Sequence, residues 1–349
     1  ACYGANQALA GWLDEARLFH GHEALTRAGM ILHREAPARI DLDGERPRLA
    51  GRAFDHVVVA AGIAVRPPDY EGYDAAAFPP HWTAGEAIGP LRDRIDALED
   101  GATIVMLAPP APYRCPPAPY ERATAIAARL KAMGRRGRIQ ILDAKSSFPK
   151  QALFEEAWAR LYPGRIEWYP VDVIGKITRI DAATRRVLTA SDAFAFDLLH
   201  VIPPQSAARI ALDSGIAGET GWIPVTGAGF RTPASSRVSA LGDACIAGDM
   251  PKSAFSARAQ ALLMAESLAA DILGRPQPVP ELFNTCYSRL AEDETVVVGG
   301  PFSIVEGRIK AGPGFISKVG ESAGIRRAHV AEGAAWIDEF SRAVFDGGT

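Results

Sequence analysis

The feature that most constrains this chain is a pattern that occurs twice. The sequence runs Phe54-Asp55-His56-Val57-Val58-Val59-Ala60-Ala61-Gly62 and again Phe196-Asp197-Leu198-Leu199-His200-Val201-Ile202-Pro203-Pro204. Each is a short apolar run opened by Phe-Asp and closed by a breaker, the signature of a buried strand. Short strand candidates precede both: around 30–33, 38–42 and 48–49 in the first copy, and around 166–171, 176–181 and 186–188 in the second. The second copy also has a beginning. An apolar run at 103–107 leads into a turn-rich loop from Ala108 to Pro119. A helical pattern follows, with Ala123, Ile126, Ala127, Leu130 and Met133 on one face. Gly134, Arg135 and Arg136 suit its C-terminus, and 138–142 reads as the next strand, which makes a βαβ unit.

A βαβ unit, a small antiparallel meander and a returning strand, used twice, resembles the two-dinucleotide-domain flavoprotein disulfide reductases. The resemblance implies an α/β fold of the glutathione-reductase type. Its first copy should open with a strand, a Gly-rich turn and a helix. Ahead of Met30 there is only a helical stretch over about 13–28, and no G-x-G-x-x-G occurs anywhere in the sequence. The missing first βαβ unit is expected upstream of Ala1. Three parts are expected: a FAD-binding domain from 1–66 and 205–275, a second Rossmann-like domain over 67–204, and a small α+β C-terminal interface domain over 276–349. The 349 residues suit that division. A net charge of -3 without a long basic run argues against nucleic acid as a partner, and no apolar run is long enough for a membrane span.

The second βαβ unit lacks nucleotide chemistry. Its strand-to-helix turn carries Pro109, Pro110, Pro112, Pro116, Pro117 and Pro119 where a dinucleotide site needs glycines and free N–H groups. Asp143, at the end of the next strand, reads as a helix cap rather than a ribose ligand. The turn instead offers Cys115 just before a helix N-terminus, where a thiolate is favoured, and Glu121 in the first turn, where a carboxylate could move protons. Both residues also have a bland reading, as a buried small side chain and as a dipole partner.

Further on, 237–244 reads as a strand ending in Gly242-Asp243. Met250-Pro251-Lys252-Ser253 then leads into a long helix over 254–273, closed by Gly274. In two-dinucleotide flavoproteins such a Gly-Asp puts a carboxylate on the ribityl chain of the flavin. A helix N-terminus with Lys252 at the flavin N1/O2 edge would stabilise the reduced ring. Cys245 reads as a buried apolar filler. The C-terminal region reads as a hairpin of 294–298 and 302–309 around Gly299-Gly300, followed by a helix over 334–345. It is expected to cover the flavin face and bring Cys286 to it. The seven histidines show no metal-ligand spacing, so no metal is expected; Trp82, Trp168 and Trp222 read as packing residues.

At this level of detail the chain resembles the flavoprotein subunit of flavocytochrome c sulfide dehydrogenases, relatives of the sulfide:quinone oxidoreductases. The carrying motifs are Cys115-Pro116-Pro117-Ala118-Pro119-Tyr120-Glu121-Arg122, Lys150-Gln151, Leu161-Tyr162, Ile202-Pro203-Pro204-Gln205, Gly242-Asp243-Ala244-Cys245-Ile246-Ala247, Met250 to Ser253, and Asn284-Thr285-Cys286-Tyr287-Ser288. The resemblance implies FAD as cofactor, with contacts from Gly62, Gly242, Asp243, Pro251, Lys252 and Ser253. It implies that Cys115 and Cys286 form a redox-active pair, with Glu121 moving protons. Ala1-Cys2-Tyr3 matches the segment whose cysteine holds FAD through an 8α-thioether. Sulfide would be oxidised to polysulfide or elemental sulfur. Electrons would pass to haem on a c-type cytochrome partner, since this chain has no C-x-x-C-H. A periplasmic location follows from the family. Two alternatives remain: a sulfide:quinone oxidoreductase resting on a membrane, which the charged residues of 305–349 argue against, and a flavin-free remnant serving only as a binding partner.

Overall fold

The computed structural model describes residues 3–82 and 88–346. Its central feature follows from the most apolar strand of the sequence. Thr103–Ala108 is buried on both faces, as a strand covered by helices on either side must be. It pairs in parallel with Leu198–Val201 on one side and Arg138–Asp143 on the other, and Ile166–Pro170 completes a four-stranded parallel sheet. The returning strand of the second copy is thus hydrogen-bonded to its opening strand. The helix Ala118–Ala132 connects the first two strands in sequence and buries Tyr120, Ala123, Ile126, Ala127 and Leu130. The meander expected within this copy is the antiparallel trio Ile177–Asp181, Arg186–Thr189 and Ala193–Ala195.

The first copy gives a smaller sheet. Val57–Val59 pairs in parallel with Ser235–Ala240, which pairs antiparallel with Arg231–Thr232. Its meander is Ile40–Asp41, Arg48–Leu49 and Arg52–Ala53. The two chain segments that pass between the sheets, Ile63–Val65 and Gln205–Ala207, pair antiparallel with each other. Ala254–Leu273 forms the long helix, capped by the Ser253 side chain at its start and by Gly274 in the left-handed conformation at its end, as the sequence indicates.

Several expectations are corrected. The helical stretch over 13–28 is two short pieces, a 3-10 turn at Glu15–Leu18 and a helix at Glu23–Arg27. A further short helix, Ala5–Ala10, precedes it and is stopped by Gly11 at positive φ. Residues 30–33 form no strand; Met30, Ile31 and Leu32 are exposed and pair with no strand among the described residues. The hairpin around Gly299-Gly300 does not exist. Glu294–Val305 is one continuous strand, paired with Leu282–Ala291 before it and Arg308–Ala311 after it. The two glycines serve close approach instead of a turn. A Cβ at Gly300 would meet the Gly314 Cα at 2.8 Å, and one at Gly299 the Asn284 carbonyl at 2.7 Å. The last helix begins at Ala323, not 334, because Ser322 caps it there.

The C-terminal sheet is locked to the parallel-sheet unit by charge. Arg160 grips Glu294 with two bonds of 2.7 and 2.6 Å. Arg326, itself 2% exposed, joins Glu294 at 3.0 Å to Glu156 at 2.7 Å. The Tyr162 hydroxyl donates to the Leu290 carbonyl at 2.7 Å. A buried ion network of this kind fixes geometry more than it adds stability. What it fixes is the strand that carries Cys286.

Candidate active site between the cysteine turn and the C-terminal sheet

The proline-rich turn is held residue by residue. The Tyr113 hydroxyl donates to the Pro116 carbonyl at 2.7 Å, the Arg114 N–H to Gln205 Oε1 at 2.9 Å, and the Cys115 N–H to the Lys252 carbonyl at 2.7 Å. Cys115 has a φ of 54°, a left-handed conformation that costs a non-glycine residue about 1 kcal/mol and persists only where neighbours impose it. Its carbonyl accepts from Ala118 at 2.8 Å, which starts the helix. Strand Leu282–Ala291 packs against that helix and brings Cys286 into hydrogen-bonding contact with Cys115. Cys286 is a free thiol here.

Lys150 and Ser288 complete this wall. The Lys150 ammonium lies 3.6 Å from Cys286 Sγ, 3.3 Å from the Cys286 carbonyl, and donates to Ser288 Oγ. The Ser288 hydroxyl in turn donates to Glu121 Oε1, and Asn6 donates to Glu121 Oε2 at 3.4 Å. The hydrogen bond from Cys115, aided by the Lys150 charge, pulls the Cys286 thiol down to about 7 against the effect of burial. Cys245 is the contrast: buried and away from this wall, its thiol is pushed up to about 12.

Asn6, Cys115, Glu121 and Cys286 line a cavity of about 160 Å³ that also receives Tyr3, Trp12, Trp82, Asp243, Phe255 and Trp336, with Lys150 and Ser288 behind its lining. Asp243 Oδ1 is buried and has no hydrogen-bond partner among the described residues, and burial raises the pKa of the group. Gly242, at φ 68°, turns the chain there, and a Cβ at that position would stand 3.2 Å from the Ala257 methyl. Ser253 caps the long helix, and its hydroxyl donates to Asn284 Oδ1 at 2.8 Å. The flavin expected from the resemblance fits this wall. An orphaned carboxylate calls for a polyol hydroxyl to donate to it, and a helix N-terminus favours developing negative charge.

Not every sequence candidate faces the cavity. The Lys252 ammonium is directed to the Asp243 and Cys245 carbonyls and lies 3.7 Å above the centre of the Trp222 ring; burial lowers its pKa to about 8. Pro251 precedes it, away from the cavity lining, and Gly62 turns the chain between Val57–Val59 and Ile63–Val65 at φ 70° with open space on its Cα. Cys2 lies outside the described residues, although Tyr3, Gly4 and Ala5 line the cavity. Asp143 caps no helix, since the next one starts at Gln151 behind Lys150. It accepts from Lys145, Tyr120 and Trp168. Lys150 and Ser288 belong to the sequence motifs, but only the fold brings them to the cysteines. The signal lay in Lys150, a cation at a helix start, where the dipole disfavours it.

Beside the charged residues of 305–349 stands an apolar patch that the sequence reading missed. Phe315, Ile316, Val319 and Ile325 are exposed, with Phe315 stacked on the equally exposed Phe283. Among the described residues no helix is long and apolar enough to cross a membrane.

Comparison with known proteins agrees with this architecture. One chain of a Tetrahymena thermophila mitochondrial ATP synthase superposes with a TM-score of 0.63 at 13% identity, covering 90% of this chain and 79% of that one. A FAD-dependent pyridine nucleotide-disulphide oxidoreductase from Desulfovibrio vulgaris gives 0.52 at 19% identity, over 87% and 76%. A NAD-dependent persulfide reductase from A. fulgidus gives 0.56 at 12% identity, over 95% and 69%. At these identities the likeness establishes the two-dinucleotide-domain fold alone. Two family models are more specific. Residues 89–203 match the central part of the sulfide dehydrogenase (flavocytochrome c) flavoprotein chain, and residues 278–345 match the flavin-binding part of flavocytochrome c sulphide dehydrogenase. Together they span just over half of the chain, including both cysteines of the cavity, and on that ground the chain belongs to the flavocytochrome c sulfide dehydrogenase flavoprotein family of FAD-dependent oxidoreductases.

Proposed function

We propose that this chain oxidises hydrosulfide to polysulfide or elemental sulfur through the Cys115–Cys286 pair, and that a c-type cytochrome subunit takes the electrons. The observation that carries this reading is the contact of two cysteines, far apart in sequence, on the wall of a cavity whose other wall holds an orphaned carboxylate. In the oxidised pair the disulfide is the electrophile. Hydrosulfide attack leaves a persulfide on one sulfur and a thiolate on the other. Glu121, reached from Lys150 through Ser288, takes and returns protons beside the pair. Asp243 and the N-terminus of the long helix at Ser253 would hold the flavin, with Gly62, Gly242, Pro251 and Lys252 shaping the backbone around it. When bound, FAD supplies the two-electron acceptor and the step-down to single-electron transfer. Cys2 is the candidate for covalent attachment, supported by the position of Tyr3 at the cavity.

The apolar patch around Phe283 and Phe315 offers a docking face for the acceptor. It also keeps a quinone-linked, membrane-resting enzyme as a second reading. Sulfide-dependent reduction of cytochrome c without reduction of a soluble quinone, and without flotation on anionic vesicles, supports the first; the converse supports the second. A periplasmic location is part of this reading, and the family match supports it. The decisive experiment is Cys115→Ser and Cys286→Ser in the flavin-loaded protein. Each is expected to lose sulfide oxidation by about a thousandfold or more while flavin stays bound. Full activity in either variant rules the mechanism out. Flavin fluorescence that remains on the denatured chain and disappears in Cys2→Ser establishes the tether.

A further inference from the structure

We propose that Lys150 decides which of the two sulfurs becomes the persulfide, by holding Cys286 as the leaving thiolate and so directing hydrosulfide onto Cys115. This rests on the reading of the two cysteines as the redox pair. Lys150 is 7% exposed, follows Pro149, and adopts φ 64° at the start of the helix Gln151–Leu161. A lysine there is unfavourable three times over: it is buried, its backbone is left-handed, and its charge sits at the positive end of a helix. A residue against every local preference is explained by what its far end does. The ammonium reaches Cys286 Sγ at 3.6 Å and has Ser288 Oγ as a second acceptor.

The charges around Cys286 reinforce the asymmetry. Cys115 and Glu121 approach from the cysteine turn and its helix, and Arg114, Arg122, Asp243 and Arg289 line the same cavity. The long helix and the last helix present Phe255, Gly333 and Trp336 to it and no charged group. Lys150 and Glu121 act on the Cys286 sulfur by charge in opposite directions, and the effect of Lys150 is the larger. The Ser288 bridge ties the Glu121 carboxylate to Lys150, so the cation prevails. In attack on a disulfide, the sulfur with the better-stabilised thiolate leaves. The hydrosulfide sulfur bonds to Cys115 Sγ and the S–S bond breaks. The electron pair of that bond leaves on Cys286 Sγ, and the proton of hydrosulfide stays on the terminal persulfide sulfur. The sulfide sulfur is oxidised to the sulfane level and the protein disulfide is reduced.

Two measurements on the full chain test this. In the reduced protein, pulsed iodoacetamide labelling from about pH 5.5 to about 9, resolved by peptide mass spectrometry, should show Cys286 reacting as a thiolate below the ordinary cysteine range. Lys150→Met should lower its labelling at about pH 6.5 roughly tenfold, and Lys150→Arg should restore most of it. An unchanged Cys286 profile in Lys150→Met overturns the proposal. The second measurement needs no variant. The wild-type chain, oxidised with diamide and given one equivalent of sulfide, should carry the trapped persulfide on the Cys115 peptide; a persulfide on the Cys286 peptide overturns the proposal even if Lys150→Met does not fold. Full sulfide oxidation by Cys115→Ser would instead remove the reading of the pair and leave the labelling result standing.

Discussion

The protein has two acids at the ends of comparable strands, and they have opposite fates. Asp143 ends the second strand of the parallel sheet, where a dinucleotide ribose could sit in a nucleotide-binding unit. Its carboxylate is saturated by Lys145, Tyr120 and Trp168, and the Lys145 ammonium also donates to the Pro109 carbonyl at 2.7 Å and lies 4.8 Å from the centre of the Tyr113 ring. The crevice is filled by the protein's own side chains. Asp243 follows the strand Ser235–Ala240 of the smaller sheet, is half-buried on the cavity wall, and has a buried oxygen, Oδ1, with no partner among the described residues. A saturated acid is structural, whereas an orphaned one on a cavity wall waits for a ligand. The same fold, used twice in one chain, has closed one crevice and kept the other open.

The comparison breaks most visibly at Asp143. Asp143→Ala should lower unfolding stability by about 3 kcal/mol, since it removes the carboxylate partner of the Lys145 ammonium and the acceptor of the Tyr120 and Trp168 donors. Urea unfolding measures this, and a loss below about 1 kcal/mol would show that the filled crevice is not held by that acid. Asp243→Asn should have the opposite sign without flavin. Removing a carboxylate whose buried oxygen has no partner among the described residues should raise the stability of the flavin-free protein by about 1 kcal/mol, while flavin binding weakens roughly tenfold. Equilibrium dialysis of flavin and melting curves of the flavin-free protein check the two halves. A variant that is destabilised and binds flavin normally makes Asp243 structural like Asp143.

Acidity sharpens the contrast. Burial raises the Asp243 pKa in the folded state, so its contribution to stability is complete below the ordinary carboxylate value of about 4 and is lost as pH rises through the raised value. The advantage of Asp243→Asn over the wild type should therefore grow from about pH 4 upward, and an advantage independent of pH would remove the electrostatic cause. The smallest effect concerns the filled crevice. NADH should leave the melting temperature unchanged within about 1 °C, because a ligand that does not bind the native state does not stabilise it. A clear rise would reopen the nucleotide site that the prolines of 109–119 argue against.

Much of this was legible in the residues. The apolar run at Thr103, the Phe-Asp tails, the Ser253 cap and the Gly274 stop are local signals of period and capping, and the elements formed where those signals lie. The errors occurred where local signals conflict with packing. Gly299-Gly300 has the chemistry of a turn, but the strand runs through it because Gly314 and Phe315 need the space a side chain would occupy. The stretch over 13–28 has helical residues, yet it forms only a 3-10 turn at Glu15–Leu18 and a short helix at Glu23–Arg27.

By itself the sequence determined the elements of the second βαβ unit, the absence of a Gly-rich fingerprint from this stretch of chain, and the presence of two cysteines in motifs of one family. Those properties depend on neighbours a few residues apart, which period, capping and turn chemistry report. Only the tertiary structure decided that Cys115 and Cys286 touch, that Lys150 faces one of them, and that Asp243 is orphaned while Asp143 is satisfied. Each of these is a meeting between segments whose spacing along the chain carries no information about their spacing in space. An acid reads the same in a sequence whether its oxygens are occupied or open, and the difference lies in which donors the fold delivers to it.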